Sequence, residues 1–241
     1  LWAARSAARL PGIRFRLDGA RREPWVERWQ RTLLPMRIGR SFLVVPEGRR
    51  APAVGGRRIL RVRFGQAFGT GEHASTRLCL ALLEDHLRRG DRVADVGAGT
   101  GLLAMAAASL GARDVVAIDD DPVAIAVARA NLRANRFGGR VRLRRAEAAS
   151  IAATGRFDLI LMNIGRTVID RSLPGLAAAL TGGGTAILAG FLIEDMAALA
   201  ARARACGLRA IDRRRRAPWA ALAVRRPPQA AGALPPAGRL R

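Results

Sequence analysis

Val93-Ala-Asp-Val-Gly-Ala-Gly-Thr-Gly101 is the stretch that decides the fold: a short run of strand character carrying an acid at its end, three glycines at alternate positions, then an alanine-rich run of helical length. Glycine at such a turn lets the backbone bend tightly and approach a ligand that a Cβ would block. The spacing is G-x-G-x-G and departs from the dinucleotide fingerprint G-x-G-x-x-G, in which a pyrophosphate sits on the helix N-terminus. A cofactor without phosphates is favoured.

Eighteen residues past Gly101 the next strand ends in Ile118-Asp119-Asp120-Asp121-Pro122. A carboxylate there can accept two hydrogen bonds from ribose hydroxyls. The alternative for these acids is capping of the following helix, a role that suits Asp121 before Pro122. Ribose without phosphate points to S-adenosylmethionine. Asp95 is read as organising the glycine loop or meeting the cofactor's ammonium. Gly97, Gly99, Gly101 and Asp119 are the remaining cofactor-binding candidates of this half.

Further out, β-branched runs alternate with alanine-rich segments, the pattern of βαβ units and a parallel sheet. Strands are expected at Arg92–Val96, Asp114–Asp119, Val141–Arg145, Phe157–Asn163 and Gly184–Gly190. Helices fit at Leu102–Leu110, Pro122–Asn135, Val168–Leu180 and Glu194–Gly207, and Leu208–Arg213 with Trp219–Val224 can close the sheet as a hairpin-like pair. Upstream, Glu23–Leu34 reads as an amphipathic helix with Trp25 and Trp29 packed at i, i+4, followed by strands near Ser41–Val45 and Arg58–Arg63. Leu10–Leu17 can form one lone strand, and a strand without a partner is marginal. Pro227–Arg241 reads as a disordered tail.

Composition bounds the rest. The chain has 241 residues, 50% hydrophobic and 25% charged, enough for one packed α/β domain and an appendage. Arginines interrupt every apolar stretch before the ~20 residues of a membrane span, and Leu1–Leu17 lacks the apolar core of a secretory signal. Cys79 and Cys206 are too few for a disulfide framework or a zinc site, so no metal is expected and a reducing cytoplasm is the default. All 42 basic residues are arginine. GC-rich coding accounts for the choice of arginine but does not by itself segregate charge. Residues 1–63 hold 16 Arg and 4 acids, residues 202–241 hold 11 Arg and one acid, and residues 64–201 hold 15 Arg and 14 acids. The two flanks are expected to face a polyanion such as RNA or a ribonucleoprotein, or else solvent alone.

Two more segments carry a resemblance: Gln66-Ala-Phe-Gly-Thr-Gly-Glu-His-Ala-Ser-Thr76 before the first domain strand and Leu161-Met-Asn-Ile-Gly165 after the fourth. With Asp95–Gly101 and Asp119–Pro122 they make the chain similar to the ribosomal protein L-eleven methyltransferase family, over about residues 12 to 225. F-G-T-G-x-H-x-x-T is the most specific of the four elements. The resemblance implies a class I methyltransferase fold, Rossmann-like, with a mostly parallel seven-stranded sheet and helices on both faces. It further implies S-adenosylmethionine as cofactor and methyl transfer to protein amines, lysine side chain or N-terminal amine, of a large-subunit ribosomal protein. Thr76, Gly97, Asp119 and Asn163 would be cofactor contacts, with Asn163 beside the transferred methyl.

The domain division that follows is residues 1–22 as the remnant of a recognition domain, 23–63 as linker helix and small strands, 64–226 as the methyltransferase domain and 227–241 as tail. The opening Leu suggests a trimmed chain, and the short front end bears on the substrate more than on the chemistry. Gly165-Arg166 departs from the family, which has an apolar and then a small residue after the Asn-Ile pair. Arg166 beside the acceptor site can change which amine, or which neighbouring anion, is accepted.

Methyl transfer from a sulfonium is an in-line displacement that mainly requires alignment within ~3 to 3.5 Å. The acceptor must be neutral, and for a lysine near pH 7 deprotonation costs about 4 to 5 kcal/mol unless a dry pocket lowers its pKa. Asn163 offers an oxygen to the amine N–H groups, against a plain turn-closing role. His73, the second catalytic candidate, can accept a proton or hydrogen-bond a pocket carbonyl, against a loop-fixing role. Thr70 and Glu72 are lining candidates, and Glu147 is a candidate for the adenine amino group. Two other functions compete. An RNA or DNA amino-group methyltransferase would draw on the basic flanks, but stacking enzymes of that kind carry Pro-Pro-aromatic after the Asn, and here Ile164-Gly165-Arg166 follows in a chain without tyrosine. A non-catalytic cofactor-binding module is the third. A monomer is expected.

Overall fold

Apolar runs of the chain pair into two sheets, seen in a computed structural model that describes residues 32–53, 55–63 and 71–228. The smaller sheet has three strands, β1 (Met36–Ile38), β2 (Phe42–Pro46) and β3 (Arg58–Val62). β1 is antiparallel to β2 and β2 parallel to β3. Helix α1 (Ala74–His86) leads into β4 (Arg92–Val96), α2 (Leu102–Leu110), β5 (Asp114–Asp119), α3 (Pro122–Ala134) and β6 (Val141–Arg145). A 3-10 segment, Ala148–Thr154, precedes β7 (Phe157–Asn163), α4 (Arg166–Ala179), β8 (Leu180–Leu192), α5 (Met196–Ala205), β9 (Arg209–Arg216) and β10 (Trp219–Arg225).

The larger sheet has the order β6-β5-β4-β7-β8-β10-β9. Its first five strands are parallel, and the closing pair is antiparallel to β8 and to itself. This is the expected seven-stranded, mostly parallel sheet. β4 and β7 are apolar along nearly their whole length because both faces are covered. Ala94, Val96, Ile160 and Met162 face α4 and α5, where Ile169, Leu173, Leu176 and Leu199 are fully buried. α1 packs on β8, β10 and β9, and α2 on β4 and β5, so helices cover the opposite face as well. α2 is buried along seven consecutive residues, six of them alanine or leucine, which lets it lie close against the strands. α3 starts where expected: Asp121 Oδ1 accepts from Val123 N–H at 2.8 Å, with Pro122 in the first turn.

Side-chain amides fasten the small sheet. Asn135 accepts from Arg61 N–H (2.8 Å) and donates to Arg61 O (2.6 Å), and Asn131, one turn earlier on α3, does the same with Arg63 at 2.7 and 3.2 Å. Two asparagines at i, i+4 thus substitute for a neighbouring strand along β3, and Asn131 also donates to Thr100 O at 2.9 Å. At the β1–β2 turn, both oxygens of Glu84 accept backbone N–H groups of Arg40 and Ser41.

Several elements differ from the sequence reading. Ala74–His86, expected as loop only through Thr76 and assigned no element beyond it, is a thirteen-residue helix whose buried side, Leu78, Leu82 and Leu83 among them, packs under the sheet. The strand expected over Gly184–Gly190 runs from Leu180 to Leu192, because its partners β7 and β10 supply hydrogen bonds along a longer edge. β1 is too short to have stood out. Leu33 and Leu34, at the end of the expected tryptophan helix, are not helical. The rest of that helix, the strand at Leu10–Leu17, the segment Leu1–Arg22, Gln66–Thr70 and residues 229–241 of the tail lie outside the described residues.

Candidate active site

A cavity of about 780 Å³ opens at the carboxyl ends of β4, β5 and β7, the place where an open α/β sheet binds ligands. Gly97, Gly99, Asp119, Glu147, Asn163 and His73 all line it. Six of the sequence-derived candidates, from five separate segments, therefore converge.

The glycine turn is held by Asp119. Its Oδ2 accepts from Gly99 N–H at 2.8 Å and its Oδ1 from Asp121 N–H at 3.0 Å. The carboxylate keeps further lone pairs on the cavity side. Gly97, at φ +74°, has no room for a side chain: a Cβ would stand 2.3 Å from Ile164 Cγ2. Gly190, at φ +93°, does the same from β8, where a Cβ would come within 2.5 Å of Ile164 O. The loop Asn163-Ile164-Gly165 is thus clamped between two glycines, and only the first was visible in the glycine motif.

Three candidates stand behind the wall. Asp95 is fully buried, and its Oδ2 accepts from Ala104 N–H in the first turn of α2 at 2.9 Å, while Oδ1 has no partner. Burial pushes its carboxyl up to about 7, the Ala104 bond opposing and the nearby Asp119 charge adding to the rise. Of its two expected roles, loop organisation is the one its bonds display. Gly101 is the left-handed cap of α2, against Ala128. Thr76 is buried, and its Oγ1 accepts from Asn163 Nδ2 at 3.1 Å. That bond uses the amide's donor side. Asn163 Oδ1, buried at the cavity end of β7, is left without a partner.

His73 caps α1. Its Nδ1 accepts from Ser75 N–H at 3.3 Å and meets Ser75 Oγ at 2.7 Å, and its ring stands edge-on to Trp219, centroids 4.4 Å apart. Burial lowers its pKa below the ordinary histidine value. An accepting Nδ1 and a lowered pKa both keep the ring neutral at pH 7. Trp219, at the start of β10, lines the cavity and escaped the sequence reading, because nothing local marks a strand residue that lies 118 residues past Gly101 as part of the same site. Ser172 and Arg171 of α4 also line it and were likewise missed.

Arg166 requires a correction. Its guanidinium does not line the cavity: Nε bonds Asp170 at 2.9 Å and the NH1 nitrogen bonds Asp195 at 2.6 Å, tying α4 to the segment before α5. Two carboxylates satisfy it, so it presents no open charge to an acceptor. Glu72 is exposed and off the cavity wall. Both cysteines are free, and among the described residues no group of His, Cys, Asp and Glu could hold a metal ion. No helix among them is long and apolar enough to cross a membrane.

Comparisons with known proteins agree with this geometry. The family model described as Ribosomal protein L11 methyltransferase (PrmA) matches residues 4–227. The chain is 39% identical over 203 residues to the ribosomal protein L11 methyltransferase of Pelotomaculum thermopropionicum, covering 84% of this chain and 66% of that one. It is 40% identical over 205 residues to that of Geobacter sulfurreducens, covering 85% and 67%. The chain thus spans about two thirds of the length of these relatives. The crystal structure of a ribosomal protein L11 methylase from Lactobacillus delbrueckii subsp. bulgaricus matches with a TM-score of 0.75 at 28% identity, over 81% of this chain and all of that one. A sheet of this order, a glycine turn held by a strand-end aspartate and a match of the family model along most of its length place the chain in the ribosomal protein L11 methyltransferase family.

Proposed function

We propose that the chain is an S-adenosylmethionine-dependent N-methyltransferase that acts on lysine side-chain or N-terminal amines of a large-subunit ribosomal protein. The observation that carries this is Asn163: a buried amide on the cavity wall whose nitrogen is spent on Thr76 and whose oxygen has no partner among the described residues. A buried acceptor left open costs free energy unless a ligand donor completes it. An amine carries such donors.

The cofactor fits the residues present. The cradle at Gly97 admits no Cβ, Asp119 offers carboxylate lone pairs to a ribose, and Glu147, a lining residue, offers an acceptor to an adenine amino group. Bound there, S-adenosylmethionine supplies an electrophilic methyl group with a good leaving group. The protein's own share is alignment. Asn163 Oδ1 accepts an N–H of the neutral amine and turns its lone pair toward the methyl. Thr76 fixes which edge of the Asn163 amide points inward. The apolar surfaces of Ile164, Val168 and Trp219 exclude water and favour the uncharged amine. His73 holds the start of α1 and the edge of Trp219, a positioning role.

The monomeric state, a cytoplasmic location and an RNA contact through the arginine-rich flanks belong to the same proposal. The test is transfer of radiolabelled methyl from S-adenosylmethionine to ribosomal proteins and RNA, resolved by gel with protease or nuclease treatment. Label in one protease-sensitive band is expected. Nuclease-sensitive label would overturn the amine acceptor in favour of RNA, and cofactor binding with no label in either would overturn catalysis.

A further inference from the structure

Arg166 is the first residue of α4 and follows directly on the loop Asn163-Ile164-Gly165. Local physics disfavours a cation there. Gly165 caps the helix without a side chain, the first turn holds no acid, and the helix dipole has its positive end at this point. Two carboxylates from elsewhere, Asp170 and Asp195, hold the guanidinium instead.

We propose that Arg166 is a positioning residue for methyl transfer: through Asp195 it holds the Asn163 loop against the strand ends that carry Trp219. The inference rests on the function proposed above and adds to it a residue outside the cavity.

Asp195 uses both of its oxygens. Oδ1 accepts from Arg166 at 2.6 Å, and Oδ2 accepts from Leu192 N–H at 3.3 Å. Leu192 ends β8 and stands opposite Trp219 in the β8–β10 pairing, and beside it Ile193 N–H donates to Pro218 O at 2.9 Å. One carboxylate therefore joins the residue after the loop to the residue paired with Trp219. Gly190 supplies a second hold, because Ile164 O occupies the space that a Cβ at Gly190 would need. Asn163 and Trp219, which both line the cavity, are thereby tied to one frame.

The other partner of Arg166 has a different reach. Asp170 lies one turn further along α4, so its 2.9 Å bond stays within the helix and joins no second element. The two ion pairs are alike in exposure, with side chains 27% to 29% exposed. A contribution to helix stability alone would make the two carboxylates equivalent. Positioning makes Asp195 the one that matters, since only that pair crosses from the loop to the strand ends. Displacement of about 1 Å at a reacting centre costs as much as a hundredfold in rate.

The experiment uses the full chain and four variants: Arg166→Gln, Asp195→Asn, the two combined, and Asp170→Asn. Asparagine at 195 keeps an oxygen for Leu192 N–H and removes the charge. Methyl transfer is measured against the concentration of the ribosomal protein labelled in the assay above, and S-adenosylhomocysteine affinity is measured by calorimetry. Arg166→Gln and Asp195→Asn are each expected to lower kcat about tenfold, with S-adenosylhomocysteine affinity within about twofold of the parent. The double variant should be no slower than the slower single, because each substitution removes the same link. Asp170→Asn should keep kcat within about twofold. Deuterium exchange of the backbone amides of residues 192–195, followed by mass spectrometry, should be faster in Arg166→Gln and unchanged in Asp170→Asn.

Equal losses of kcat in Asp170→Asn and Asp195→Asn would overturn the proposal, and so would additive losses in the double variant. Loss of S-adenosylhomocysteine binding in step with kcat would also overturn it, by assigning Arg166 to the stability of the whole site. If the parent chain transfers no methyl to any ribosomal protein, the methyltransferase reading fails on its own. Exchange at residues 192–195 then still decides the link, which unchanged exchange in Arg166→Gln would remove.

Discussion

Across the cavity, the wall of Gly97, Gly99 and Asp119 is backbone held by backbone-directed hydrogen bonds, whereas the wall of Asn163, His73 and Trp219 is made of side chains from three separate segments. The first comes from two consecutive strand–loop–helix units, so its pieces are near one another in sequence. The second exists only because β7, the start of α1 and the start of β10 end at the same place. On the function proposed, the first wall would bind the cofactor and the second would orient the acceptor. Damage to the two walls should therefore read out differently.

The sharpest way to break that division is Asn163→Ala. It removes the open acceptor, and methyl transfer should fall by about a hundredfold to a thousandfold, the scale of losing one oriented polar group at a reacting centre. Cofactor affinity, measured by calorimetry, should stay within about threefold. Next in size is Asp119→Ala, which removes the ribose acceptor and frees the Gly99 N–H. The cofactor Kd should rise severalfold to a hundredfold while the rate at saturating cofactor changes little. Equal loss of binding in both variants would merge the two walls into one.

A smaller effect sharpens the comparison within the second wall. Thr76→Val keeps the shape but removes the acceptor of the Asn163 amide N–H, so that no hydrogen bond fixes the orientation of that amide at the cavity wall. Transfer should drop about tenfold with cofactor binding kept, and Thr76→Ser should restore it, since one hydrogen bond is worth ~1 kcal/mol or somewhat more when buried. Failure of Ser to rescue would show that packing, not the hydrogen bond, is what Thr76 supplies.

The smallest effect lies behind the first wall. Asp95, with its carboxyl raised to about 7 by burial, takes up a proton more readily in the folded chain than in the unfolded one. Its contribution is therefore fully present below about pH 4 and is lost as pH rises from there to about 7, amounting to at most about 4 kcal/mol. Asp95→Asn retains an acceptor for Ala104 N–H and carries no charge. It should flatten the fall of Tm between pH 5 and pH 8 and raise Tm at pH 8 by a few degrees. A variant whose Tm keeps the parent's pH dependence would assign that dependence to other groups. His73 acts in the opposite sense, since its lowered pKa costs stability as pH falls through and below 6.5.

Much of this could be read from the chain alone. Strands β4 to β7 and helix α2 match their expected limits: β5, β7 and the alanine-rich helix leave a nearly continuous apolar signature, and the edge strand β6 shows as an alternation of Val141 and Leu143 with arginine. Helix α1 was hidden. Its first residues belong to a glycine-rich motif that reads as loop, and its cap is a histidine, not one of the usual capping residues. Arg166 misled for a related reason: a charge beside a site motif looks available until Asp195, far along the chain, turns out to hold it.

Local sequence, then, determined the parallel sheet, the glycine turn, the strand-end Asp119 and the excess of arginine at the flanks, since each depends on neighbours within a few residues or on composition. Tertiary structure decided which donor and acceptor remain open. Thr76 and Asn163 are 87 residues apart, and only their meeting at 3.1 Å decides that the amide nitrogen is satisfied and its oxygen is left over. Gly190 and Trp219 join the site through strand pairing. Hydrogen-bond satisfaction and strand direction are properties of the folded arrangement, so no reading of neighbours along the chain supplies them.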